Sequence, residues 1–164
     1  MKFVSIIMGS KSDYDIVSET AKTLEKFGVK YELIISSAHR SPKRTSEYVA
    51  NAEKKGAKVF IAAAGMAAHL AGAIAANTTK PVIGIPMAGS ALSGVDALYS
   101  TVQMPSGMPV ATLAIGKAGA INAAYLAVQI LALEDEGLAS ALKTDREAKI
   151  KALEEDSLKV EVIL

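Results

Sequence analysis

The sequence contains no cysteine and no tryptophan, and aromatic residues make up only 5% of its 164 residues. Without cysteine there can be no disulfide bond, thiolate metal ligand or cysteine nucleophile. A formal net charge of +1 gives no electrostatic reason to expect nucleic acid or an anionic membrane as a partner. No apolar stretch is long enough to span a bilayer, and residues 1–4 lack the layout of a signal peptide. We therefore expect a cytoplasmic protein with no nucleic-acid or membrane partner.

Hydrophobic residues make up 51% of the chain, which is enough for the full core of a single domain over residues 1–164. Apolar runs typical of buried parallel strands alternate with helical patterns through short connections, which predicts a doubly wound α/β fold. The predicted strands cover residues 3–8, 29–35, 59–64, 81–85 and 110–115. The predicted helices cover about 14–27, 42–55, 70–77, 96–103, 118–133 and 139–158.

Two regions depart from this alternation. The connection over residues 86–109 is long and rich in glycine and serine, which is typical of functional or partly helical segments. The predicted helix over residues 118–133 carries almost no charge, so we expect other subunits to cover part of it. Residues 160–164 form a short apolar tail that is either a docked arm or a frayed end.

The turn after the first predicted strand, residues 9–13, opens a helix, where backbone amides bind anions. The hydroxyl groups of Ser10 and Ser12 could add donors, and Asp13 could accept from ribose hydroxyls. The alternative is that Ser12 or Asp13 only caps the helix. The turn is neither a Walker loop nor a Gly-x-Gly-x-x-Gly fingerprint, which disfavours nucleoside triphosphates and dinucleotides.

The turns after the second and third strands each carry one of the two histidines. His39 can exchange a proton near neutral pH, and Arg40 offers a fork of donors suited to phosphate or carboxylate. The alternative for this turn is a surface loop with a salt bridge. In the third turn Gly65 lets backbone amides approach a small anion, whereas His69 could simply be bonded to backbone groups.

In a sheet of order 2-1-3-4-5 these three turns meet at one edge, at the switch point where ligands bind. Together they offer a phosphate cradle, a sugar acceptor, one proton carrier and a small pocket. Nothing in them resembles a metal-ligand cluster or a hydroxyl–histidine–carboxylate triad, so these turns predict no metal site.

These motifs resemble the N5-carboxyaminoimidazole ribonucleotide mutase family of de novo purine (IMP) biosynthesis. The resemblance covers about residues 3–133 in unbroken order. The matching motifs are Met8-Gly9-Ser10-Lys11-Ser12-Asp13, Ser37-Ala38-His39-Arg40-Ser41-Pro42, Ala67-Ala68-His69-Leu70 and residues 92–100, 102–105 and 109–116.

The resemblance implies a flavodoxin-like three-layer sandwich with extra C-terminal helices, in a homo-octamer with active sites at subunit junctions. Residues 134–164 would then pack on a neighbouring subunit. The implied enzyme is an isomerase that converts N5-carboxyaminoimidazole ribonucleotide to 4-carboxyaminoimidazole ribonucleotide with no cofactor and no metal. His39 would be the catalytic proton carrier, and the substrate-binding residues would be Ser10, Ser12, Asp13, Ser37, Arg40, Gly65, Ala68, His69 and Leu70.

By the same resemblance, Ser10 and Arg40 would hold the phosphate, Asp13 the ribose, and residues 65–70 would line the carboxylate pocket. The reaction needs one acid/base group near neutrality and a closed pocket that retains carbon dioxide. Ala63, Met66 and Ala71 depart from the family pattern and bear on the shape of that pocket.

Two alternatives stay open from the sequence. A related class carboxylates aminoimidazole ribonucleotide directly with carbon dioxide, and is similar except for a lysine in place of Arg40 and the absence of His69. A non-catalytic nucleotide-binding or receiver-like module is disfavoured, because receivers need several acids at strand ends and Asp13 is the only acid in the three turns.

Overall fold

The computed structural model describes residues 2–163. Strands and helices alternate along the chain, as the apolar runs predicted. The strands are β1 (Phe3–Met8), β2 (Tyr31–Ile35), β3 (Ala57–Gly65), β4 (Val82–Met87) and β5 (Ala111–Thr112). The helices are α1 (Tyr14–Lys26), α2 (Pro42–Lys55), α3 (Leu70–Ala75), α4 (Val95–Val102), α5 (Lys117–Ala132) and α6 (Glu136–Val160).

All five strands run parallel in the order β2-β1-β3-β4-β5, with helices on both faces. This confirms the predicted flavodoxin-like three-layer sandwich and its strand order. Every residue of β1 and β4 is buried, which is why both strands are apolar almost throughout. The buried side chains of the central strands, such as Phe60 and Ile61, form the core together with the apolar stripes of the helices.

The register of the sheet brings the ends of β1 and β2 level with Ala63, close to the end of β3. Met8 at the end of β1 lies opposite Ile35 on β2 and opposite Ala63 on β3. The turns that follow these three strands therefore start side by side. The helices that leave these turns begin at Tyr14, Pro42 and Leu70.

Several predicted boundaries were wrong. β2 begins at Tyr31 instead of residue 29, because the N–H of Val29 donates to the carbonyl of Leu24 and completes the end of α1. β5 has two residues instead of six, because the chain leaves the regular ladder after Thr112. Beyond it, the N–H of Leu113 donates to the carbonyl of Gly84.

The described chain forms two compact units, the first ending at Val128 and the second beginning at Gln129. In the second unit α6 extends beyond the predicted residues 139–158 at both ends. At its amino-terminal end the Asp135 carboxylate caps it by accepting from the Leu138 N–H. No residue of α6 is buried. Residues 161–163 have no regular structure, and residue 164 of the predicted tail lies outside the described residues. No helix within residues 2–163 has both the length and the apolar character needed to cross a membrane.

Candidate active site

Backbone and side-chain hydrogen bonds connect the three turns at the carboxyl ends of β1, β2 and β3. The N–H of Gly9 donates to the carbonyl of Ala63 over 3.0 Å, which links the first turn to the end of β3. The N–H of Ser36 donates to the carbonyl of Met8 over 2.9 Å, which links the second turn to the end of β1. The three turns therefore form one continuous surface, as the sequence predicted.

The first turn is a short 3-10 helix over Lys11–Asp13, and Ser10 caps it. The Ser10 hydroxyl oxygen accepts from the Ser12 N–H at 3.4 Å and from the Ser12 hydroxyl at 3.0 Å. Asp13 stands directly before α1, but its carboxylate makes no cap hydrogen bond. Asp13 therefore holds the N-cap position of α1 by its place in the chain, and the alternative that its side chain caps the helix is wrong.

Asp13 is unusual because burial raises the pKa of its carboxyl group. Hydrogen bonds with the backbone of Ser10 and the side chain of Ser12 lower the pKa and offset part of this rise. The protonated form of Asp13 is therefore more favoured in the folded protein than in the unfolded chain in water. A half-buried carboxyl kept at a ligand-binding edge is typical of a functional site.

The second turn holds Arg40 in place through its own hydroxyl groups. The Ser37 hydroxyl oxygen accepts from the Arg40 N–H at 3.1 Å, and the Ser41 hydroxyl donates to the Ser37 carbonyl at 3.0 Å. The Arg40 guanidinium then reaches the first turn, where its Nη2 donates to the Gly9 carbonyl at 3.2 Å. Within residues 2–163, no carboxylate forms an ion pair with Arg40, so the salt-bridge alternative is wrong for this part of the chain.

The two histidines meet between the second and third turns. His39 Nε2 lies 2.6 Å from His69 Nδ1, and the two rings are nearly perpendicular, with an angle of 85° between their planes. His69 precedes α3, but its side chain makes no cap hydrogen bond. Its ring is therefore occupied by His39 and does not satisfy the backbone at the helix start.

The third turn brings only some of its predicted residues to the surface. Gly65 is half-buried, whereas the side chains of Ala68 and Leu70 are buried in the core. A contact of Ala68 or Leu70 with a ligand would therefore come from the backbone. Met66 has a φ of 57°, in the left-handed region that favours glycine, and its side chain is 64% exposed.

The other two departures from the family pattern point away from the site. Ala63 is fully buried in β3, and Ala71 is buried against the core at the start of α3. Neither side chain adds bulk to the exposed surface of the third turn. Of the three departures, Met66 is therefore the one whose side chain is exposed in the third turn.

A cavity of about 510 Å³ lies beside the first turn, and no sequence motif predicted it. Its polar lining comes from Lys11, Tyr14 and Arg44, and its apolar lining from Met8 and residues 33–35. No carboxylate of the described chain pairs with Lys11 or Arg44. Lys11 and Arg44 could have been found from the sequence because they lie next to the Ser10 and Arg40 motifs. Their side chains add two positive charges to an edge suited to anions.

Within residues 2–163, no three side chains of histidine, aspartate or glutamate come close enough to hold a metal ion. The functional groups that the turns bring together are thus two imidazoles, one guanidinium, one carboxyl and several hydroxyls. This set can bind a phosphorylated ribose and move a proton.

The sequence model of AIR carboxylase matches residues 3–152, which is most of the chain and includes all three turns. The chain belongs to the AIR carboxylase family. Among its curated relatives in this family, the Haemophilus influenzae protein is 53% identical over 88% of either chain. The Pseudomonas aeruginosa protein is 54% identical over 87% of this chain and 88% of its own. The Escherichia coli K12 protein is 52% identical over 89% of this chain and 86% of its own.

All three of these AIR carboxylase family relatives are named N5-carboxyaminoimidazole ribonucleotide mutase. The fold is also that of a solved family structure. The crystal structure of Treponema denticola PurE superposes with a TM-score of 0.89 at 29% identity, over 99% of this chain and all of that one. The resemblance stated from the motifs is confirmed over nearly the whole chain.

Proposed function

We propose that this chain is an N5-carboxyaminoimidazole ribonucleotide mutase of purine biosynthesis. It moves a carboxyl group from the exocyclic nitrogen of an aminoimidazole ribonucleotide to a ring carbon of the same nucleotide, giving 4-carboxyaminoimidazole ribonucleotide. The observation that carries this proposal is the convergence of His39, Arg40 and Asp13 at one sheet edge. Their motifs lie in a chain about half identical to proteins of that name.

In this proposal the first two turns bind the ribose phosphate. Arg40 uses one of its five N–H donors on the Gly9 carbonyl and has the others for the phosphate. The Ser10 and Ser37 hydroxyls add neutral donors around the same anion, and the Ser12 hydroxyl orients that of Ser10 by donating to it. Asp13 accepts from the ribose hydroxyls. The aminoimidazole ring then reaches toward the third turn, where Gly65, Ala68 and Leu70 contribute backbone contacts around the carboxylate.

His39 is the proposed proton carrier. Cleavage of the nitrogen–carboxyl bond releases carbon dioxide, and the departing nitrogen regains a proton. The ring carbon then attacks the carbon dioxide, and its own proton must leave. One proton enters and one leaves, so a single acid/base group suffices. The pocket must retain the carbon dioxide between these steps, because escape would end the rearrangement.

We propose further that the chain acts as a homo-octamer in the cytoplasm, with residues 134–164 packed on a neighbouring subunit. Exposed apolar side chains support self-association. On α4, Val95, Tyr99 and Val102 are spaced along one side, and Tyr99 is 63% exposed. On α6, Leu153 and Leu158 are exposed in a helix without buried residues. A single domain over residues 1–164 also stays a prediction.

The test compares two substrates without ATP or added metal. We expect 4-carboxyaminoimidazole ribonucleotide from N5-carboxyaminoimidazole ribonucleotide, and little product from aminoimidazole ribonucleotide with modest bicarbonate. Efficient product from the second substrate would instead assign the chain to the direct carboxylases. Product from neither would leave a nucleotide-binding module without this chemistry.

A further inference from the structure

We propose that His69 is a positioning residue that sets the tautomer of His39. In this arrangement His69 Nδ1 accepts a hydrogen bond from His39 Nε2–H, and His39 Nδ1 faces the substrate. The inference rests on the proposed role of His39 as proton carrier. It assigns His69 a role through His39 instead of a direct contact with the nucleotide.

His39 Nε2 and His69 Nδ1 lie 2.6 Å apart, which is within hydrogen-bond distance. A neutral imidazole has one N–H and one acceptor nitrogen, so a hydrogen bond between two neutral rings requires complementary tautomers. The contact therefore fixes which nitrogen of each ring carries a proton. The nearly perpendicular rings also limit rotation of His39 about its side chain.

Neither imidazole ring has a competing structural role in the described part of the chain. Both side chains are exposed, and His69 does not cap α3 with its ring. Apart from the contact with each other, no hydrogen bond or ion pair of either ring occurs in the described part of the chain. The contact spans 30 residues of sequence and joins the second turn to the third.

This hydrogen bond has two possible directions, and they differ in which nitrogen of His39 can exchange a proton with the substrate. If His69 donated, His39 would carry its proton on Nδ1, and Nδ1 could not accept another from the substrate. If His39 donates from Nε2, the protonated ring can give its Nδ1 proton to the departing nitrogen, and the lone pair left on Nδ1 can then take the proton of the ring carbon. His69 then accepts from the same Nε2–H in both protonation states of His39. Only the second direction allows one ring nitrogen to serve both proton transfers.

This use of His69 parallels the carboxylate that orients the histidine of a catalytic triad, with a neutral acceptor in its place. Outer-shell partners that orient a metal-bound imidazole change affinity or activity by about 10- to 100-fold when they are mutated, and we apply the same range to His69. We therefore expect His69→Ala to lower kcat by about 10- to 100-fold, with KM close to that of the wild type.

His69→Asn and His69→Gln form a matched pair for the kinetic test. The amide of asparagine reaches approximately the position of Nδ1 and can still accept from His39, whereas the amide of glutamine reaches the position of Nε2. We expect His69→Asn to restore most of the kcat lost in His69→Ala, and His69→Gln to restore little. A rise in KM with unchanged kcat in His69→Ala would show direct substrate binding and overturn the proposal.

Nitrogen-15 NMR of the imidazole rings gives a readout that does not depend on activity. The chain has only two histidines, so His39→Asn assigns the remaining signals to His69. At alkaline pH, where histidine is neutral, we expect His39 to be protonated at Nε2 in the wild type and in His69→Asn. In His69→Ala we expect a mixture of tautomers. A wild-type His39 protonated at Nδ1, or a tautomer unchanged in His69→Ala, would contradict the inference.

The two kinds of failure are distinguishable. If the tautomers behave as expected but His39→Asn retains full turnover, the proposed role of His39 fails and the hydrogen bond still stands. If His39→Asn is inactive but the tautomer and kcat are unchanged in His69→Ala, the proposed function stands and the role of His69 is refuted.

Discussion

Replacing Arg40 by alanine is the sharpest test of the proposed phosphate site. The guanidinium is exposed and has no carboxylate partner in residues 2–163, and one of its N–H groups donates to the Gly9 carbonyl. Its remaining donors are free for an anion. A hydrogen bond to a charged group contributes about 1.5–3 kcal/mol, so the loss of a single one at about 2 kcal/mol weakens binding about 30-fold. Losing a bidentate pair would weaken binding more.

Calorimetric titration of the product nucleotide and of its dephosphorylated nucleoside separates the phosphate from the rest of the ligand. We expect Arg40→Ala to weaken nucleotide binding by about 30-fold or more and to leave nucleoside binding nearly unchanged. Lys54→Ala removes an equal charge from the far end of α2 and serves as the control, with no expected effect on either ligand. An equal loss for nucleotide and nucleoside would refute the reasoning.

Three further predictions concern the proton carrier, the buried carboxyl and the packing of the sheet. His39→Asn should fold and assemble but lose turnover by several orders of magnitude in the mutase assay, and near-normal turnover would remove His39 from the mechanism. Because burial raises the pKa of Asp13, ionisation of this carboxyl opposes folding at pH 7. Asp13→Asn should therefore raise the free energy of unfolding at pH 7, and this gain should disappear as the pH falls below the ordinary value of 3.8; urea titrations that show a pH-independent gain would contradict it. In Gly84→Ala the new Cβ would collide with the side chain of Thr101, which should cost about 1–3 kcal/mol in thermal unfolding. Gly89→Ala has open space and is the control, so equal losses in both variants would show that close packing is not the cause.

The fold was largely predictable because its signals are local. Short apolar runs of about six residues, each followed by a turn and a helix, are typical of a doubly wound parallel sheet. This placed β1 and α2 correctly and brought the three turns to one edge. The length of β5 was not predictable, because an apolar run does not show where the regular ladder with β4 ends. The start of α6 was missed although Asp135 and the residues after it form a capping signal.

The residues of the candidate site were easier to predict than the contacts between them. His39 and Arg40 stand out because of residue type and position in the turn. The hydrogen bond between His39 and His69 could not be predicted, since two side chains 30 residues apart meet only through the register of β2, β1 and β3. The cavity lined by Lys11 and Arg44 was missed for the same reason, because it forms only when α1, α2 and β2 come together.

The most direct test of the central claim follows the carboxyl carbon itself. N5-carboxyaminoimidazole ribonucleotide labelled with carbon-13 in its carboxyl group is converted by the protein in a buffer that contains unlabelled bicarbonate. Mass spectrometry of the first-formed 4-carboxyaminoimidazole ribonucleotide then reports where its carboxyl carbon came from. If the pocket retains the released carbon dioxide, the product carries the label. Product formed mainly with unlabelled carbon would contradict a mutase and indicate carboxylation from solution.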